Sequence, residues 1–233
     1  MGLFTPSSSG RIAHTLRVAA HLLSYPDAAL RAHLTDLRDA LHAEGALSAS
    51  RIAELDALIW QLARTDVLDT EAAYVELFDR GRSTSLHLFE HVHGDSRDRG
   101  PAMIDLAQTY EKAGLYLAPG ELPDFLPALL EFASTQPPKE ARALLAEMAH
   151  ILNAVFSALL QRQSGYASVL GALIELAGET AQAVTIAPDE PLDESWAEPL
   201  AFDGCSSQGQ ARPGAVQPIH LVRKSSATEG VQS

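Results

Sequence analysis

His87, Glu90, His91 and His93 crowd into one short stretch of the chain. Imidazoles and a carboxylate at that density are the raw material of a zinc-type centre. If the stretch is helical, His87 and His91 stand four apart on one face with Glu90 beside them. The order is His-Leu-Phe-Glu-His, not His-Glu-x-x-His. Glu90 directly precedes the second histidine, so it is not placed as that motif's general base. A metal-dependent hydrolase using His87, Glu90 and His91 therefore stands only as a rival reading. No residue is assigned to catalysis or to metal binding.

The wider segment from Tyr74 to Gly100 offers a different chemistry. Arg80, Arg82, Arg97 and Arg99 supply planar donor forks, Glu90 and Asp95 supply acceptors, and Leu86, Leu88 and Phe89 supply apolar surface. A groove that holds a peptide needs that mixture, with apolar pockets for affinity and polar anchors for register. The bland alternative is a surface helix whose His, Glu and Arg residues pair with one another. Recognition is the preferred reading, and its candidate contacts are Phe78, Arg80, Arg82, Ser85, Leu86, His87, Phe89, Glu90, His91, His93, Asp95, Arg97 and Arg99. Cys205, among serines and glycine with no adjacent base, is expected to be a bystander.

The elements that would carry this segment are helices. Ile12, Leu16, Ala19 and Leu23 recur at helical spacing and stop at Tyr25-Pro26. A second helix through Leu30, Leu34, Leu37 and Leu41 is expected from Asp27 to about Gly45, and Ser48 caps a third through Ile52, Leu55, Leu58, Ile59 and Leu62. A fourth opens at Asp69-Thr70 and runs through Tyr74, Leu77 and Phe78. Further helices are expected over Pro101 to Lys112, through Leu129, Leu130 and Phe132, and after Gly165 through Val169, Leu173 and Leu176. Pro137-Pro138 opens the strongest pattern, a single buried helix from Leu144 through Leu160. No stretch alternates apolar and polar residues long enough for a strand. The fold class is all-α: a single helical bundle domain over residues 11–185, an N-terminal arm at 1–10, and a flexible Pro/Ser/Gly/Gln-rich C-terminal tail at 186–233 in which Trp196 and Phe202 are candidates for docking.

Composition narrows the function. Thirty acidic against seventeen basic residues give the 233-residue chain a net charge of -13. Such a surface repels duplex nucleic acid and anionic lipid and attracts a positively charged peptide. One cysteine excludes an internal disulfide and a Cys-rich metal or iron–sulfur site. Walker, dinucleotide-binding and nucleophile-elbow motifs are missing, which weakens most enzyme readings. The first ten residues lack a basic region followed by an apolar core, and Arg142, Glu147, His150 and Asn153 interrupt the most apolar stretch, so neither a secretory signal nor direct membrane insertion is expected. The chain reads as cytoplasmic.

The segment Phe78-Asp79-Arg80-Gly81-Arg82, running on through Ser85-Leu86-His87-Leu88-Phe89-Glu90-His91-Val92-His93-Gly94-Asp95-Ser96-Arg97-Asp98-Arg99-Gly100, closely resembles the signature of the NarJ-type nitrate reductase assembly chaperones. Leu-Leu-Ser-Tyr25-Pro26, Tyr110 to Tyr116, and Glu121-Leu-Pro-Asp-Phe-Leu-Pro127 resemble the same family, and the likeness spans roughly residues 11 to 180. Pro101 departs from it, at a place where proline in a first helical turn is harmless. The resemblance implies the all-helical fold of the wider, TorD-like redox-enzyme maturation chaperones. It also implies a system-specific chaperone that is not an enzyme and is not part of the finished reductase. The implied partner is the N-terminal segment of the catalytic α subunit of a respiratory nitrate reductase. The client, not the chaperone, would carry the molybdenum cofactor and iron–sulfur clusters. A structural subunit of the reductase is the remaining rival.

Overall fold

The computed structural model describes residues 11–92 and 97–184, and these fold into helices. They are α1 (Ala13–Leu22), α2 (Ala28–Ala32), α3 (Leu34–Glu44), α4 (Ala49–Arg64), α5 (Val67–Tyr74), α6 (Leu88–Val92), α7 (Arg99–Lys112), α8 (Leu126–Thr135), α9 (Pro138–Glu147), α10 (Ala149–Gln161) and α11 (Ala167–Leu176). A π-helical turn over Val75–Asp79 and a 3-10 turn over Arg82–Thr84 lie between α5 and α6. The expected arm at 1–10 and tail at 186–233, with Trp196, Phe202 and Cys205, lie outside the described residues.

The core forms where apolar faces meet. α11 is buried on nearly every side, with nine of its ten residues enclosed, as a helix apolar all round must be. It packs on α10, α4, α9 and α1, while α1 also packs on α8 and α3. Leu16, Leu22, Leu130, Leu145, Leu152, Leu159 and Leu170 are fully buried at the centre.

Helix ends are held partly by local residues and partly by distant ones. Asp27 accepts the Leu30 N–H at 2.8 Å, and Ser48 caps α4 through the Arg51 N–H at 3.4 Å. Gly45 ends α3 with φ of 62°, a left-handed geometry that a side chain resists. α1 has no side-chain cap of its own. The buried Glu44 carboxylate from the end of α3 serves instead, accepting the His14 N–H at 3.2 Å and the Thr15 N–H at 2.7 Å. Glu175 of α11 likewise accepts the Ser48 N–H at 2.6 Å before α4. These orphan donors attract negative charge wherever it originates.

Three expected helices differ in the structure. The second divides at His33 into α2 and α3. The fourth starts three residues early, because Asp66 accepts the Leu68 N–H at 2.9 Å, and its end widens into the π turn. The strongest pattern is two helices, α9 and α10, bent by 66° at Met148. Neither proline nor glycine marks that bend. It lets α9 lie on α8 and α11 while α10 follows α11 and the 3-10 turn, so tertiary packing overrides local propensity. Among the described residues no single helix is long and apolar enough to cross a membrane.

Candidate functional site

Between Val75 and Val92 the backbone passes from π to 3-10 to a single α turn, and few of its polar groups pair within a regular ladder. The Leu77 carbonyl, left over at the end of the π turn, is taken up by the Thr84 hydroxyl and by the Arg162 Nη1 at 3.3 Å. Arg162 also reaches the Thr84 Oγ1 at 3.1 Å. Gly81 faces this cluster so closely that an added Cβ would collide with Thr84, Arg162 and the Leu77 carbonyl. A glycine is therefore required here by space.

Asp124 organises the next residues. Its side chain is fully buried, an expensive position for a carboxylate unless it is paired. Oδ2 accepts the Phe89 N–H at 3.2 Å inside the first turn of α6, and Oδ1 accepts from the His87 Nδ1 at 3.3 Å. The Arg99 guanidinium lies 3.6 Å from Oδ2 and 3.6 Å from the Glu90 carboxylate. The backbone joins in: the Leu88 N–H donates to the Asp124 carbonyl at 3.0 Å and the Leu126 N–H to the Leu86 carbonyl at 2.9 Å. Buried Tyr110 fixes the turn from below, its hydroxyl donating to the Pro123 carbonyl at 2.8 Å. The hydrogen bond to Asp124 raises the His87 pKa above the usual imidazole value. Partial burial opposes that rise, the charges of Asp124 and Glu90 add to it, and Arg99 subtracts from it.

The candidate residues fall into three groups. Phe78 and Leu86 are core. Phe78 packs at 4.8 Å on Tyr74 and 5.1 Å on Tyr166, and Leu86 is 2% exposed, so the expected groove wall made by these two side chains is closed. Ser85 is also buried, with its hydroxyl accepting the His87 N–H at 3.2 Å and its carbonyl accepting from the His91 Nε2 at 2.9 Å. His87, Phe89, Glu90, His91 and Arg99 are half-buried along one stretch, while Arg80, Arg82 and Arg97 are exposed. Arg80 pairs with Glu76 at 3.0 Å. His93 and Asp95 lie outside the described residues.

The metal-like spacing dissolves in the same geometry. His87 precedes α6 in extended backbone that bridges to Phe125, so it does not share a helical face with His91. Each ring is turned to its own partner, His87 to Asp124 and His91 to the Ser85 carbonyl. Among the described residues no three His, Cys, Asp or Glu side chains converge as metal ligands. Asp124 is the site residue that was not singled out as a candidate. It lies in the Glu-Leu-Pro-Asp turn, and its sequence signals are its place in the Glu121–Pro127 stretch that carries the family resemblance and an acidic residue set between Pro123 and the apolar run Phe125-Leu126.

Fold and site together describe an all-α bundle whose irregular Val75–Val92 segment is held by Asp124 and Arg162. A crystal structure of an Archaeoglobus fulgidus protein described as a redox enzyme maturation protein superposes with a TM-score of 0.52 at 21% identity, covering 76% of this chain and 99% of that one. The family model for the nitrate reductase delta subunit matches residues 23–170, and the chain belongs to that family. It is 42% identical over 200 residues to the Escherichia coli (strain K12) nitrate reductase molybdenum cofactor assembly chaperone NarJ, covering 84% of each chain. It is 40% identical over 165 residues to NarW of the same strain, covering 71% of this chain and 68% of that one.

Proposed function

We propose that the chain is the dedicated cytoplasmic assembly chaperone of a respiratory nitrate reductase. It holds the N-terminal segment of the catalytic α subunit while the molybdenum cofactor is inserted, and it releases the enzyme for membrane attachment. The observation that carries this reading is the 42% identity to an assembly chaperone across 84% of both chains. The chain itself performs no chemistry in this account. The cofactor and iron–sulfur clusters belong to the client.

The half-exposed signature supports the reading physically. Phe89, Glu90, His91, Arg97 and Arg99 offer an aromatic edge, an acceptor and donor forks, with Arg80 and Arg82 beyond them, and His93 and Asp95 stay on the candidate list. Ser85, Leu86 and Phe78 serve from beneath as supports. A hydrolase built on His87, Glu90 and His91 has no support in a pair of rings committed to separate partners. A structural subunit is disfavoured because the relative over most of the chain is described as a chaperone.

Calorimetric titration with a peptide covering the first ~15 residues of the α subunit, enough for about four helical turns, tests the proposal. The expected result is saturable one-to-one binding that weakens as salt rises, because a net charge of -13 attracts a basic peptide through screened forces. A folded protein that binds no peptide at low salt contradicts it.

A further inference from the structure

Phe78, which sequence places in the groove, is buried, but its aromatic stack reaches the surface at Tyr25. The Tyr25 ring meets the Tyr74 ring edge-on at 5.6 Å, and Tyr74 in turn packs on Phe78. Tyr25 remains 46% exposed. A cleft opens on each side of it. One, of about 450 Å³, is walled by Leu30 and Leu37 from α2 and α3, with Asp27, Asp36, His21 and His33 at its edges. The other, of about 380 Å³, is walled by Leu68, Ala72 and Val75, with Glu71, Glu76 and Arg80 at its edges. Leu68 is 74% exposed and lies beside Tyr25 in the second cleft, so the two make a joint apolar patch.

We infer that these two clefts form one trough that takes an amphipathic helix with Lys or Arg on its polar face, and, resting on the function proposed above, that this helix is the N-terminal segment of the α subunit. The charge around the trough selects the occupant. Four carboxylates line it against one guanidinium, and that guanidinium is already paired with Glu76. Asp27 is spent on capping α2. Asp36 faces His33 at 3.2 Å, Glu76 faces Arg80 at 3.0 Å and Glu71 accepts from the Tyr25 hydroxyl. Asp36 and Glu76 still stay 78% and 70% exposed, so the trough keeps a surplus of negative charge toward an incoming cation. The floor is apolar where a helix would lay its stripe: Tyr25 in the centre, Leu30 and Leu37 on one side, Leu68 and Val75 on the other. Arg80, at the edge of the second cleft, is itself a residue of the signature segment.

The experiment uses the full chain and the same ~15-residue α-subunit peptide. Two variants are compared with the parent: the charge reversal Asp36→Lys with Glu76→Lys, and Leu68→Asn. All three positions are exposed, so folding is retained. Each variant is expected to bind roughly tenfold more weakly, the size of two surface ion pairs or one partly buried leucine. A peptide whose Lys and Arg are replaced by Glu is expected to bind the charge-reversed variant better than the parent. If the parent binds the peptide and both variants match it within about twofold, the trough is wrong while the chaperone reading stands. Loss of binding without recovery by the charge-swapped peptide contradicts the ionic selection. A parent that does not bind the peptide overturns the functional reading and the trough with it.

Discussion

In α11, nine of ten residues are buried and the helix follows from apolar contact alone. Between Val75 and Val92 the chain changes helical type twice, and its backbone groups depend on its own Thr84 and on Arg162 and Asp124 reaching in from elsewhere. The first region derives order from area removed from water, which is tolerant of detail. The second derives it from a few polar atoms, each left costly if its partner is removed. A recognition surface gains from that arrangement, because residues locked by supporting hydrogen bonds present their neighbours in one geometry.

The largest expected effect lies in the first region. Leu170→Ala removes a wholly buried side chain and is expected to cost about 2–5 kcal/mol in denaturant unfolding, with client affinity per folded molecule unchanged. Asp124→Ala strands the Phe89 N–H and leaves His87 and Arg99 without their shared acceptor. The His87 and Arg99 side chains are partly solvated, so the expected cost is about 1–3 kcal/mol, but client affinity should fall as well. If Asp124→Ala lowers stability and leaves peptide affinity at the parent value, the contrast between the two regions fails.

A smaller effect comes from Glu44→Gln, which weakens the distant cap on α1 and is expected to cost about 1 kcal/mol without altering peptide binding. The smallest is a pH dependence. The His87 pKa is raised in the folded protein, chiefly by its hydrogen bond to Asp124. Its contribution is therefore full below the unfolded value of about 6.5 and disappears as pH rises through the folded value. His87→Gln should be less stable than the parent in mild acid, and the gap should close in mild alkali. A gap that is the same at both ends removes the charged pair from the account.

Much of the bundle was legible in the chain. Leucine spacing marked α1, α4, α8 and α11, Ser48 marked the start of α4, and Gly45 marked the end of α3, because those signals act within a turn or two of backbone. The break at His33 and the bend at Met148 carry no glycine or proline and follow from what each half packs against. The caps given by Glu44 and Glu175 join residues about thirty and well over a hundred positions apart, so local pattern cannot announce them. At the candidate site, the polar inventory drew attention to a segment that the structure holds by distant polar contacts, but spacing misled. His87 and His91 read as one helical face, whereas Asp124, thirty-seven residues beyond His87, holds His87 in extended backbone and starts the helix after it. Phe78 and Leu86 read as groove, yet both are buried in the core, and the stack that Phe78 joins leaves Tyr25 as its exposed end.

The molybdenum content of nitrate reductase purified from cells that lack an assembly chaperone of their own, with and without this chain supplied, tests the central claim most directly. The account predicts reductase filled with molybdenum cofactor only when the chain is present, and a finished membrane enzyme from which the chain has departed. Reductase carrying its full molybdenum complement without the chain, or retaining the chain as a stoichiometric component, would contradict it.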